Sequence, residues 1–331
     1  MAVIDGHGGY VPLYRVERSA VAEQFGGSAS GESAVPARDE NHVTMACEAA
    51  ETALARSSAS AADLDAVFSA SITDRFAEHG IAAQVAYRLA ATGDLRTGDF
   101  RATTRATTDA LGAARTLADA GETVMAVAVD VLPADPVADG SPEAGAGAAA
   151  FVLSEDATDP VATVTGAGSE TTGFVERHRE HGAVAEEGDA RFERRHGVPD
   201  AVAPAIDRAL DGSEAPEKAV AGAPSTRLAR TALRGVDAET VSTFDSIGFA
   251  GCAGVALDLV HLLETAGEGE SVLAVNYGAG GADALALETG RGVERTEGLT
   301  VADLLDAKEY VTYAKHLEYR EPVEYQGVSG A

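Results

Sequence analysis

Apolar positions recur along this chain in two periods, one helical and one of strand length, and the two alternate from end to end. Val43, Ala46, Cys47, Ala50 and Leu54 fall on one face of a helix. Ala110, Ala113, Ala114 and Leu117, spaced three and four apart, predict a second helix. It is preceded by a turn of small hydroxylated residues at 103–108 and followed by a buried strand at 124–129. Further strands are predicted at 66–72, 161–167, 219–223 and 240–247, and further helices at 81–91, 201–210 and 228–233. A last helix, 252–265, carries Val255, Leu259, Leu262 and Leu263 inward.

Two stretches share one order of elements. TLADAGETVMAVAVD…AGAGAAAFVL and LLETAGEGESVLAVNYGAGGADALAL each read as helix, turn, buried strand, glycine loop, strand. Matching units half a chain apart imply a duplicated α/β fold. The expected architecture is two pseudo-symmetric halves, 1–158 and 159–331, whose stacked mixed sheets sandwich central helices.

Charge adds a constraint on partners. Lys plus Arg total 25 against 53 Asp plus Glu, a net charge of −28. Only Lys218, Lys308 and Lys315 are lysines, and the acidic residues are spread along the whole length. This pattern reads as the solvated shell of a salt-adapted protein, where dissolved ions screen self-repulsion. It argues against binding nucleic acid or an anionic membrane. No apolar run is long enough to span a bilayer, and the start lacks the layout of a signal peptide, so a soluble cytoplasmic protein is expected. Cys47 and Cys252 make neither a disulfide framework nor a zinc site.

Five segments, in order and at the right spacing, resemble the thiolase superfamily, in particular its archaeal 3-hydroxy-3-methylglutaryl-CoA synthases. They are GHGGYVPLYRV, HVTMACEAAETALARSSASAADLDAVFSASIT, PVADGSPEAGAGAAAFVL, VNYGAGGADALAL and the aromatic tail EYVTYAKHLEYR. The resemblance implies a thiolase-like fold and chemistry built on a cysteine nucleophile, a histidine and a proton-moving glutamate. Compared without gaps, Thr104 stands where the cysteine would be, Gly222 where the histidine would be and Ile72 at the glutamate. Ser246 or Ile247 replaces an expected asparagine. A thiol is readily ionised at a helix N-terminus and a threonine hydroxyl is not; threonine attacks only with an adjacent base. No cysteine lies between Cys47 and Cys252, so no shift of alignment restores the nucleophile.

The resemblance therefore implies a non-catalytic or altered acyl-CoA-binding subunit of a condensing assembly. It needs no cofactor, takes CoA or acyl-CoA as ligand, and has a homodimer, a thiolase and an OB-fold zinc-ribbon protein as implied partners. Arg227, Arg230, Gly278, Gly280 and Gly281 are the residues implied for CoA, with exposed salt-adapted arginines and a tight strand turn as the structural alternatives. The other reading is an active condensing enzyme or acyltransferase with a rearranged site using Cys252, Thr104 or His79. Cys252 sits at a glycine-rich helix start, where the dipole would lower its pKa, on an apolar face that suits packing. His79, beside a glycine turn, could shuttle a proton at neutral pH if it lined a pocket. His178, His181 and His196 lie among arginines in a charged excursion that reads as a solvated loop, a subunit contact or a grip on CoA phosphates. Their spacing is not a metal-ligand pattern.

Overall fold

In the computed structural model the residues described are 1–76, 78–133, 141–175, 177–180, 185–211 and 214–320. Ten strands form the main sheet: β1 (Val3–Tyr10), β2 (Ala66–Ala70), β3 (Arg96–Phe100), β4 (Val124–Val131), β5 (Ala146–Ser154), β6 (Ala162–Thr171), β7 (Lys218–Gly222), β8 (Glu239–Thr240), β9 (Ser271–Gly278) and β10 (Gly281–Thr289). Their order is β3-β2-β4-β5-β1-β6-β10-β9-β7-β8. Each strand of the first five has its counterpart five places on. In both halves the second strand pairs parallel with the third and fourth, and the remaining pairs are antiparallel.

The halves meet at β1 and β6, where only Val3–Thr163 and Ile4–Ala162 pair. The two expected sheets are thus joined by a short antiparallel ladder into one hydrogen-bonded sheet. Helices α3 (Ala106–Ala118) and α6 (Cys252–Thr265) share one buried cluster with strands of both halves. The strand period of two divides the core. Val124, Ala126 and Ala128 of β4 face that central cluster, while Met125, Val127 and Val129 pack with α1 (His42–Ala55) and α2 (Ile81–Arg88). Leu273 and Val275 of β9 likewise face α4 (Val198–Ala209) and α5 (Thr226–Ala232). Strands buried on both faces explain the unbroken apolar runs.

One predicted strand is corrected. Residues 240–247 give only the end of β8, followed by a helical turn at Phe244–Ile247. The buried Asp258 carboxylate accepts from the Thr243 backbone N–H at 2.6 Å and its hydroxyl at 2.7 Å, which pulls the chain out of the sheet.

Candidate functional site

The turn between β3 and α3 bends sharply: Ala102 takes a left-handed φ of 80°, a conformation costing a non-glycine residue about 1 kcal/mol and retained where the surroundings enforce it. It delivers Thr103 and Thr104 to a cavity of about 380 Å³, whose lining also includes Ile72, Leu132 and Gly278. A second, smaller space of about 30 Å³ has Thr104, Gly222, Asn276 and Asp258 in its walls. Thr104 borders both, with Ile72 in the wall of the larger and Gly222 in the wall of the smaller.

Around Thr104 the hydroxyls are already engaged. Thr104 Oγ1 donates to the Tyr277 carbonyl at 3.3 Å and Thr103 Oγ1 to the Ala279 carbonyl at 3.2 Å. Asn276 Nδ2 donates to the Thr104 carbonyl at 2.9 Å. Arg105 clamps the turn to β10 through two bonds to Asp283, at 2.9 and 2.8 Å. Gly278 must be glycine, because a Cβ there would stand 2.4 Å from Thr104 Oγ1. At Gly222 a Cβ would meet Val255 Cβ at 2.6 Å and Asn276 Oδ1 at 2.8 Å, so the room a side chain would need is filled. No imidazole or carboxylate bonds to the Thr104 hydroxyl among the described residues.

Ile72 sits on a loop fixed by Asp130, a residue the sequence reading did not single out. Its Oδ1 accepts from Ser71 Oγ at 2.8 Å, from the Ile72 and Thr73 N–H groups at 2.9 Å, and from Thr73 Oγ1 at 2.6 Å. Its Oδ2 accepts the Cys252 N–H at 2.6 Å. A carboxylate closing an apolar strand is the signal that could have found it, because a buried charge must be hydrogen-bonded. His42 reaches this network through Thr73, Nε2 to Oγ1 at 2.8 Å.

Cys252 is fully buried, its thiol 3.8 Å from the Thr103 carbonyl and outside the lining of both cavities. Burial, reinforced by the Asp130 carboxylate, pushes its pKa well up, the reverse of the lowering expected from a helix start. His79 is exposed, paired with Gln84 Nε2 at 2.8 Å and edge-on to Phe76, and lines neither cavity. Arg227 and Arg230 lie on the exposed face of α5 and line neither cavity, although their neighbours Thr226 and Ala229 wall the smaller one. Gly278 lines the large cavity, while Gly280 and Gly281 form the β9–β10 hairpin, Gly280 at φ 87°.

The charged excursion supplies Arg177, His178 and Arg179 to the large cavity, joined by Arg101, which pairs with Asp74 at 2.5 Å. His196 lies elsewhere, beside Phe192, and His181 falls outside the described residues. Among the described residues no group of His, Cys, Asp or Glu is arranged to hold a metal ion, and no helix is long and apolar enough to cross a membrane.

No protein-family model matches the chain. Archaeal proteins named hydroxymethylglutaryl-CoA synthase do. That of Pyrococcus horikoshii is 29% identical over 336 residues, 96% of this chain and 95% of its own length. That of Methanopyrus kandleri is 28% identical over 351 residues, 97% and 98%. The fold is thiolase-like, and the chain is a homologue of the archaeal hydroxymethylglutaryl-CoA synthases. Solved structures agree on the fold of this thiolase-like chain. A hydroxymethylglutaryl-CoA synthase complexed with CoA superposes with TM-score 0.82 at 15% identity, covering 96% of this chain and 89% of that one. The 3-oxoacyl-[acyl-carrier-protein] synthase III of Aquifex aeolicus gives TM-score 0.74 at 16% identity, covering 87% and 100%.

Proposed function

We propose that this protein binds an acyl-CoA in the cavity at Thr104 without forming a covalent acyl-enzyme, as the non-catalytic partner subunit of an acyl-CoA condensing assembly. One observation carries the reading. The residue presented at the start of α3 is a threonine whose hydroxyl donates to the Tyr277 carbonyl, and the space where a base would stand is filled by Val255. A hydroxyl without a base is not a nucleophile at neutral pH. Support for an acyl-CoA ligand comes from the homologues, from the cavity's size, and from its cationic lining in an acidic chain.

Against the alternative, an active enzyme with a rearranged site using Cys252, Thr104 or His79, stands the placing of those three groups. Cys252 is buried with a raised pKa, and His79 lies outside both cavities. The outer edge of β3, which no strand pairs among the described residues, supports a homodimer formed by strand addition. A thiolase and an OB-fold zinc-ribbon protein are the partners to seek by co-purification. The dispersed acidic excess supports a salt-adapted protein.

Two measurements test the central claim. Calorimetry with CoA should give a saturable heat, and intact-mass spectrometry after incubation with acetyl-CoA should show no acetyl adduct. An adduct on the wild-type chain would overturn the non-covalent reading. Absence of both heat and thermal shift with CoA would remove the binding claim.

A further inference from the structure

The smaller cavity has a buried acceptor in its wall. Asn276 is 1% exposed, and its Nδ2 donates to the Thr104 carbonyl at 2.9 Å. That bond fixes which end of the amide is oxygen, because a flipped group would set two oxygens against each other. The Oδ1 is then fully buried, with no donor to it among the described residues. It stands beside Gly222, where a Cβ would meet it at 2.8 Å, and both residues are in the walls of the smaller cavity. Buried amide oxygens in folded proteins are nearly always bonded, to protein or to an ordered water.

The space suits a water. Its volume of about 30 Å³ exceeds the roughly 10–15 Å³ that one water needs, and is a tenth or less of the roughly 300–1,000 Å³ of a metabolite pocket. A buried water takes about two to four polar partners, and the walls supply them. Asp258 Oδ1 carries both Thr243 bonds, which leaves the other carboxyl oxygen without a partner among the described residues. Ser242 Oγ accepts the Phe244 N–H at 3.3 Å, so its own proton is available to an acceptor. Asp258 is the one acidic or basic side chain among the described residues of those walls. Burial raises its carboxyl to about 7, so at pH 6 the walls carry little charge to hold a cation.

We propose that the smaller cavity binds one water molecule, which donates to Asn276 Oδ1 and leaves the other end of that amide to hold the Thr104 carbonyl. The turn that faces the large cavity is then pinned from behind by a side chain that is itself fully bonded. The inference is independent of the acyl-CoA reading and survives its failure. A crystal structure of the full chain at pH 6 tests it, with one crystal in potassium chloride and a second soaked in rubidium chloride. The expected result is one peak inside the cavity, about 2.5–3.0 Å from Asn276 Oδ1, with no anomalous signal in the rubidium crystal. Asn276→Leu removes the acceptor at nearly constant size. It should lose that peak and, in solution, one long-lived water counted by oxygen-17 relaxation dispersion. The wild-type map decides the question even if the variant fails to fold. A rubidium peak would make this a cation site, a cavity without density would leave Oδ1 unbonded, and a peak that persists in Asn276→Leu would remove Asn276 as its anchor. Each of these overturns the proposal.

Discussion

Adding one methyl group at Gly222 tests whether the place that the resemblance assigns to a histidine has room for a side chain. The backbone of Gly222 lies in β7, paired with Asn276, and its φ is outside the left-handed region, so alanine suits the local conformation. On backbone grounds alone Gly222→Ala would stabilise the chain by about 0.4–1 kcal/mol, by restricting the unfolded state. Packing opposes this. The new Cβ would stand 2.6 Å from Val255 Cβ and 2.8 Å from Asn276 Oδ1, against a comfortable carbon–carbon separation of about 3.5–4.0 Å. Overpacking of that kind costs about 1–3 kcal/mol, so a net loss on the order of 1–2 kcal/mol is expected. Gly112→Ala is the control: it lies within α3 with nothing within 4 Å of its Cβ, and should gain up to about 1 kcal/mol. Urea unfolding with unchanged m-values reads both. If Gly222→Ala proves as stable as wild type or more so, the space is open, and the reason given for the missing base fails.

Four other outcomes follow from the same geometry. Thr104→Cys places a thiol at the start of α3 and should yield an acetyl adduct at residue 104 with acetyl-CoA, read by peptide mass spectrometry; a CoA-binding variant that stays unmodified would refute the placement of the cavity. Burial raises the Asp258 carboxyl from its ordinary 3.8 to about 7, so the folded state holds a proton that the unfolded state releases, and stability is lost as pH rises from about 4 through 7. Asp258→Asn should remove that loss and be more stable near pH 8 by an amount on the order of 4 kcal/mol, with no gain at pH 3; parallel pH profiles would refute it. Arg56 and Glu264 form a buried pair at 2.7 Å, so Arg56→Met should cost about 3–5 kcal/mol by urea unfolding, and a loss below about 1 kcal/mol would show the pair to be solvated. Raising potassium chloride should raise the wild-type melting temperature by screening the net charge of −28, and a fall would count against salt adaptation.

Most elements were legible because burial on both faces leaves unbroken apolar runs for strands, and three–four spacing marks the helices. Residues 240–247 misled because Thr-Val-Ser-Thr-Phe has strand composition, while the contact that decides its path comes from Asp258 in another element. Thr104, Gly222 and Ile72 are named from the resemblance alone, since nothing in the spacing of their segments places them at adjoining cavities. What filled the space at Gly222 could not be expected, since Val255 enters it from α6. The resemblance points to Arg227 and Arg230 for CoA, yet Arg101, Arg177 and Arg179 are the arginines that line the large cavity. Only the fold decides which of them reach the cavity.

Cys252 shows how a local rule loses to a tertiary one. A helix N-terminus stabilises a thiolate by roughly 0.3–2 kcal/mol, whereas full burial moves a pKa by up to several units, each worth about 1.4 kcal/mol. With Asp130 beside it as well, the second effect prevails, and the thiol stays protonated. At Thr104 the contest does not arise, because its hydroxyl carries no ionisable proton near neutral pH and its hydrogen bond runs to a carbonyl that cannot accept the proton outright. The two positions thus keep their protons for different reasons. A thiol at the first needs only Thr104→Cys, while a thiolate at the second would require rebuilding the Asp130 network that also fixes the Ile72 loop.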